Sequence, residues 1–227
     1  MVNAVGTGPD DRIEPVIRWR GRRDFETTWS EMRAFTTERG PECLDEVWLV
    51  EHPPVFTLGL NGRRQHIHNP GSIPVVACDR GGQVTYHGPG QLVCYTLIDL
   101  QRAGLGVRAW VERLEGLVAW LVSELGGPTL PLERRADAPG VYLAGRKLAS
   151  VGLRVRRGRA YHGVSINIAM DLEPFARIDP CGYPGQTMTQ LADWLGPLPL
   201  RGVVERLSAG IQSGWLNQPP ESGWSRG

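Results

Sequence analysis

The chain has 227 residues, 25 Lys+Arg against 24 Asp+Glu for a net charge of +1, and 41% hydrophobic residues; this length suits one large domain or two small ones, with enough core to need no metal or disulfide staple. No apolar run approaches the roughly 18 residues of a membrane span. The N-terminus, MVNAVGTGPDDR, shows neither the basic nor the apolar region of a secretion signal. Cys43, Cys78, Cys94 and Cys181 lie far apart without a C-x-x-C, which argues against a zinc site or a disulfide framework and for a cytoplasmic protein with reduced thiols.

In chain order, Pro15–Arg20 reads as a strand. Phe25, Trp29, Met32 and Phe35 then recur at helical spacing behind Asp24, a helix-capping residue, with Gly40 past the end. Glu46–Glu51 and Val55–Leu58 are short strands split by Pro53-Pro54. Strands follow at Pro74–Cys78, Gln83–Tyr86 and Gln91–Leu97. A long helix over Val107–Leu125 places Trp110, Leu114, Leu117, Leu121 and Leu125 on one face. Gly140–Leu143, Lys147–Arg156 and Arg159–Ala169 are strands, the last two a hairpin around Arg157-Gly158. Helices near Thr187–Leu195 and Leu200–Ser213 close the chain. The expected architecture is α/β (α+β): a mixed, largely antiparallel β-sheet with flanking helices. One domain is expected over residues 14–213, with flexible tails at 1–13 and 214–227.

Of the 25 basic residues only Lys147 is lysine. Arginine effectively never gives up its proton, so a lone lysine among arginines is a candidate for proton chemistry. Three segments crowd glycine, polar and titratable residues together. In Asp79–Gln91 (DRGGQVTYHGPGQ), glycine pairs bracket a short strand and let backbone approach a ligand closely; the plain alternative is a hairpin with glycine turns. Around Gly145–Gly163, the stretch from Pro139 to Met170 holds five arginines, one lysine and no acidic residue, a footprint for an acidic partner or a solvated edge strand. A charge near zero and no recognised motif argue against nucleic acid. In Asp179–Gly185 (DPCGYPG), Cys181 sits between proline and glycine, where a nucleophilic thiol and an ordinary loop cysteine are both open readings. His66-x-His68 lacks an obvious third ligand, and no metal is expected.

Together these segments resemble the lipoyl(octanoyl) transferase family, also called lipoate-protein ligase B. The matching blocks are RGGQVTYHGPGQ (80–91), RKLASVGLRV (146–155), YHGVSIN (161–167) and DLEPFARIDPCGY (171–183), in the family's order. The resemblance, covering about Pro15 to Ile211, implies the biotin/lipoate protein ligase catalytic fold. It implies transfer of an octanoyl group from octanoyl-acyl carrier protein to a specific lysine of lipoyl domains. Those acceptors belong to 2-oxoacid dehydrogenase complexes and the glycine cleavage H protein; no cofactor and no membrane are implied. Carried over by motif, Cys181 would form an acyl-thioester with Lys147 as its acid/base partner. Arg80, Gly81, Gly82, Gln83, Val84, Thr85, Tyr86 and His87 would line the acyl site. So would Ser150, Val151 and Gly152, and Gly163, Val164 and Ser165, the last standing where the family usually has Ala.

The chemistry agrees with this resemblance. Free cysteine and lysine have pKa values of about 8.5 and 10.4, so neither is poised at neutral pH, whereas a paired thiol and amine pass one proton between them. Oxyanion donors are expected from backbone near Arg80–Gly82 and Gly182. Two rivals remain: an ATP-dependent lipoate or biotin ligase on the same fold, and a non-catalytic module that binds acidic partners through the Arg154–Arg159 stripe.

Overall fold

The computed structural model describes residues 13–127, 129–135, 137–180 and 185–218. Strand β1 (Val16–Arg22) leads into helix α1 (Phe25–Glu38), which starts where the Asp24 side chain accepts the Thr27 backbone N–H at 2.8 Å. That bond satisfies one of the otherwise unpaired donors of the first turn. Strand β2 (Glu46–Glu51) ends just before Pro53-Pro54, which cannot extend a ladder because proline has no N–H. The chain therefore leaves the first sheet there and starts another with β3 (Val55–Leu58), β4 (Val75–Ala77) and β5 (Val84–His87).

It returns with β6 (Gln91–Asp99), crosses in helix α2 (Val107–Glu124), and continues as β7 (Leu132–Arg134), β8 (Gly140–Leu143), β9 (Arg146–Arg156) and β10 (Arg159–Asn167). Helices α3 (Ala192–Leu195) and α4 (Leu200–Gln212) follow. The seven-stranded sheet has the order β1-β2-β6-β10-β9-β8-β7, and only its β1–β2 pair is parallel. The three-stranded sheet runs β4-β3-β5.

Strand β6 shows how one alternating sequence feeds two layers. Leu92, Cys94 and Ile98 face α2 and α4, packing with Trp110, Leu114 and Leu117. Val93, Tyr95 and Leu97 face the other way, onto Met32 of α1 and Trp48 and Val50 of β2. The small sheet covers the rest of that second face, so the space between the two sheets opens onto the pocket described below.

The mixed α/β architecture with a largely antiparallel sheet matches the reading of the sequence. Four details differ. Strand β7 has no counterpart in the reading of the sequence. The strands form two sheets, because β3 and β5 pair with each other rather than with their neighbours in the large sheet. Residues 187–189 are not helical, since the Thr187 carbonyl and the Thr189 N–H bond to the main chain of Lys147. Ile13 and residues 214–217, assigned to the tails, are part of the folded body: Asn217 bonds the Ile13 N–H and carbonyl at 2.6 and 3.0 Å, and Trp215 and Leu216 are buried against α2 and α4. Among the described residues, no helix is long and apolar enough to cross a membrane.

Candidate active site

Two cross-strand rungs form the floor of the pocket. Register places Ser150 of β9, Ser165 of β10 and Val93 of β6 side by side, and next to them Gly152, Gly163 and Tyr95. Gly163 keeps the floor flat, because a Cβ there would fall on the Cys94 carbonyl oxygen. The roof is the loop before β5. Its Gly81 N–H bonds the Leu153 carbonyl at 2.8 Å, clamping the loop on β9, and a Cβ on Gly81 would come within 3.1 Å of that same oxygen. From the other side, Leu60 and Asn61 N–H groups bond the carbonyls of Arg80 and Gly82 at 2.9 and 3.1 Å. The Arg80 guanidinium braces the turn by donating to the Thr57 carbonyl at 2.7 Å and hydroxyl at 2.8 Å.

The pocket is narrow, a cavity of about 50 Å³. Arg80, Gly81, Gly82, Gln83, Val84, Thr85 and His87 line it from the roof. Ser150, Val151, Gly152, Gly163 and Ser165 line it from the floor. Two residues of the expected set do not reach it. Tyr86 turns to the opposite face of β5, against Phe56 and Phe175, and Val164 turns into the core beneath the sheet. Four lining residues were not read from the sequence: Phe25, Val93, Tyr95 and His162. Val93 and Tyr95 were accessible from strand alternation alone, since Cys94 between them faces the core.

His162 sits on this wall for a backbone reason. Its φ of +62° is left-handed, which is uncommon for a non-glycine residue inside a strand. The ring lies parallel to Tyr161, 5.2 Å away. Its Nε2 is 3.0 Å from Asp79 Oδ1, while its buried Nδ1 has no hydrogen-bond partner. Asp79 also accepts from Tyr161 Oη at 2.5 Å and Trp29 Nε1 at 2.7 Å. Burial alone would raise the Asp79 carboxyl, but these three donors hold it far below the usual carboxylate range. Burial lowers His162 and outweighs Asp79, so the ring is neutral: Nε2 carries the proton and Nδ1 the lone pair.

His87 and His52 are neutral as well. Gln91 donates its amide to the Tyr86 carbonyl and Asn167 Oδ1, so its oxygen accepts from His87 Nδ1 at 2.7 Å. Burial, helped by His52 close by, pushes His87 down to about 3. His52 donates from Nδ1 to the Arg23 carbonyl and accepts from Tyr95 Oη, both at 2.7 Å, and burial lowers it to about 4.

Lys147 is wholly buried. Its neighbour Leu148 is squeezed into a bulge, since Val141 pairs with Ala149 but Tyr142 with Lys147. Its Nζ lies 5.2 Å from the centre of the Tyr142 ring. Gly140 makes room for the stem, because a Cβ there would come 2.8 Å from Lys147 Cε. Its main chain is held on both sides by Thr187 and Thr189 at 2.9 and 3.0 Å. Asn167 bonds the Thr189 carbonyl at 2.9 Å, which joins Lys147 through Asn167 and Gln91 to His87 on the pocket wall.

Cys181 lies outside the described residues. Asp179, two positions earlier, is anchored by His66 Nδ1 at 3.1 Å and His68 Nε2 at 2.9 Å, so the two histidines grip a carboxylate. Among the described residues no cluster of three or more such side chains is arranged to hold a metal ion. Burial pushes the Cys78 thiol up and the Cys94 thiol up to about 12, which makes both poor nucleophiles at neutral pH. The Gly81 N–H, expected as an oxyanion donor, is already committed to Leu153.

The two-sheet α/β scaffold thus carries a glycine-lined pocket between its sheets and a buried lysine three residues along β9 from the pocket floor. Residues 24–212 match the lipoyl protein ligase A/B catalytic domain, and the chain belongs to that family. It is 58% identical over 203 residues to the octanoyltransferase of Alkalilimnicola ehrlichii, covering 89% of this chain and 91% of that one. It is 56% identical over 192 residues to the octanoyltransferase of Nitrosococcus oceani, covering 85% and 84%. The protein is therefore an acyltransferase that transfers octanoyl groups in protein lipoylation. Its fold is shared with lipoate-protein ligase A bound with ATP (TM-score 0.74, 12% identity, covering 94% of this chain and 88% of that one). It is shared also with a bi-partite lipoate protein ligase from Thermoplasma acidophilum (TM-score 0.68, 13% identity, covering 89% and 84%).

Proposed function

We propose that the enzyme takes octanoyl from octanoyl-acyl carrier protein onto Cys181 as a thioester, then passes it to a lysine of a lipoyl domain. The acceptors would be the lipoyl domains of 2-oxoacid dehydrogenase complexes and the glycine cleavage H protein. The observation that carries this reading is Lys147. The only lysine in the chain is buried, and its backbone is pinned to residues 187–189, a few positions after Cys181. A side chain that is costly to bury is retained where the chain turns back from the cysteine loop.

In the first half-reaction Lys147 Nζ takes the Cys181 thiol proton and the thiolate attacks the carrier's thioester carbonyl. Collapse of the tetrahedral intermediate breaks the carbonyl–sulfur bond to the carrier, and the departing thiolate receives the proton from Lys147. In the second, the acceptor lysine attacks as the free amine. Lys147 takes the proton shed by the new amide nitrogen and returns it to the Cys181 sulfur as that bond breaks. Each cycle returns the enzyme to its starting state, so no net proton or electron is required. The octanoyl chain would lie in the pocket, whose floor of Ser150, Gly152, Gly163 and Ser165 starts three residues along β9 from Lys147.

The test is mass spectrometry after mixing with octanoyl-acyl carrier protein without acceptor. One octanoyl adduct on Cys181, absent from Cys181→Ala, is expected. An adduct elsewhere, or octanoyl transfer by Cys181→Ala near the wild-type rate, refutes the thioester route. Transfer that needs ATP and free octanoate instead of the carrier would assign the ligase reaction.

A further inference from the structure

The pocket has an open end and a closed one. Over β9, Gly82 is exposed and Gly81, Ser150 and Gly152 are half-buried; over β6, Val93, Tyr95 and Phe25 are buried. A chain entering over β9 therefore crosses β10 and stops past β6. Two strand spacings are about 10 Å, close to the length of an extended eight-carbon acyl chain.

What it meets at the end is Phe25. This is the first residue of α1, set by the Asp24 cap, and its ring is held on several sides. It stacks on His87 with centroids 5.9 Å apart and planes 11° from parallel, and meets the edge of His52 at 5.4 Å. Trp29 lies 6.4 Å away, and Val55 and Cys78 pack against the same ring. His52 cannot swing aside without giving up its bonds to the Arg23 carbonyl and Tyr95. A ring fixed this way is a wall rather than a gate.

From this geometry we infer that Phe25 sets the acyl-chain length the enzyme accepts, by closing the deep end of the pocket. The inference rests on reading the pocket as the acyl site. It predicts that space gained or lost at Phe25 changes preference among chain lengths more than it changes the overall rate. Burying a methylene is worth roughly fourfold in binding, so room for two more is worth about fifteenfold.

The test measures kcat/KM for acyl carrier protein loaded with butanoyl, hexanoyl, octanoyl, decanoyl or dodecanoyl chains. Phe25→Leu and Phe25→Ala should raise the decanoyl-to-octanoyl ratio by about fifteenfold, and Phe25→Trp should raise the hexanoyl-to-octanoyl ratio. A ratio measured on one preparation is unaffected by the folded fraction, so a destabilised variant remains informative. Val93→Phe, which narrows the floor one step earlier, separates the two ideas, and it should lose octanoyl transfer while keeping butanoyl transfer. If Val93→Phe behaves so but the Phe25 variants keep wild-type ratios, the gauge is wrong and the acyl site stands. If Val93→Phe leaves the octanoyl-to-butanoyl ratio unchanged, the acyl-site reading fails and takes the gauge with it.

Discussion

Two neutral histidines, His87 on the pocket wall and His52 packed behind it, make this fold sensitive to mild acid. His52 and His87 are lowered by burial to about 4 and about 3, against roughly 6.5 in the unfolded chain. Between those limits the unfolded chain binds protons that the folded chain refuses, so stability falls as pH drops through 6.5. By linkage each histidine removes about 2 kcal/mol between pH 7 and pH 5, and the pair about 4 kcal/mol. Burial lowers His162 as well, which acts in the same direction. Asp79 works in the opposite sense but in another window: its carboxyl is held far below the usual value, so its contribution is intact at pH 5 and fades only at stronger acidity. The assay is urea unfolding at pH 7 and pH 5. His52→Gln keeps a neutral donor and acceptor in place and removes the titration, so its loss between the two pH values should be smaller than wild type's by about 2 kcal/mol, whatever its stability at pH 7. An equal loss in both proteins would mean that His52 is protonated in the folded state at pH 5 and that burial does not control it.

Lys147→Arg keeps a cation but cannot release its proton near neutral pH. Transfer should fall at least 100-fold, the lower range for losing a general acid–base, while iodoacetamide labelling of Cys181 stays within about tenfold of wild type; surviving transfer would leave Lys147 an electrostatic role only. Reversing charge at Arg156 and Arg157 should weaken productive use of acyl carrier protein more than use of a small octanoyl thioester, because long-range steering is what is lost; equal losses would place these arginines in folding or in the acyl site. Gly163→Ala drives a Cβ onto the Cys94 carbonyl between β10 and β6, so unfolding should cost about 2 kcal/mol less than for wild type, and an unchanged urea midpoint would show that the sheet yields there freely.

The parts of the fold legible in the sequence are those fixed by local rules. Asp24 caps α1 where a capping residue precedes an amphipathic run, and alternation in β6 divides Leu92 and Cys94 from Val93 and Tyr95. The second sheet was not legible, because β3 and β5 are apolar runs that would fit either sheet, and their pairing depends on where Pro53-Pro54 sends the chain. Nor were residues 187–189, whose bonds to Lys147 join segments about forty positions apart.

The candidate site divides along a similar line. A motif is read as a contiguous block, whereas a strand turns successive side chains to opposite faces. Tyr86 and Val164 fall inside their blocks yet turn to the other face, while Gly152 and Ser165 in comparable blocks stay on it. Alternation could have corrected both, but it could not have found His162. Its even position in β10 matches core-facing Val164 and Ile166, and only a left-handed φ brings its ring to the opposite side. Phe25 lies on the helix face its spacing marks; its second surface, against His52 and His87, depends on where α1 lands relative to β5 and the chain after β2. A motif therefore marks backbone that must come close to a ligand, and glycine writes that into the sequence directly. The walls that give the ligand its length come from residues whose local role is already satisfied by ordinary packing, and only the assembled layers show their second use.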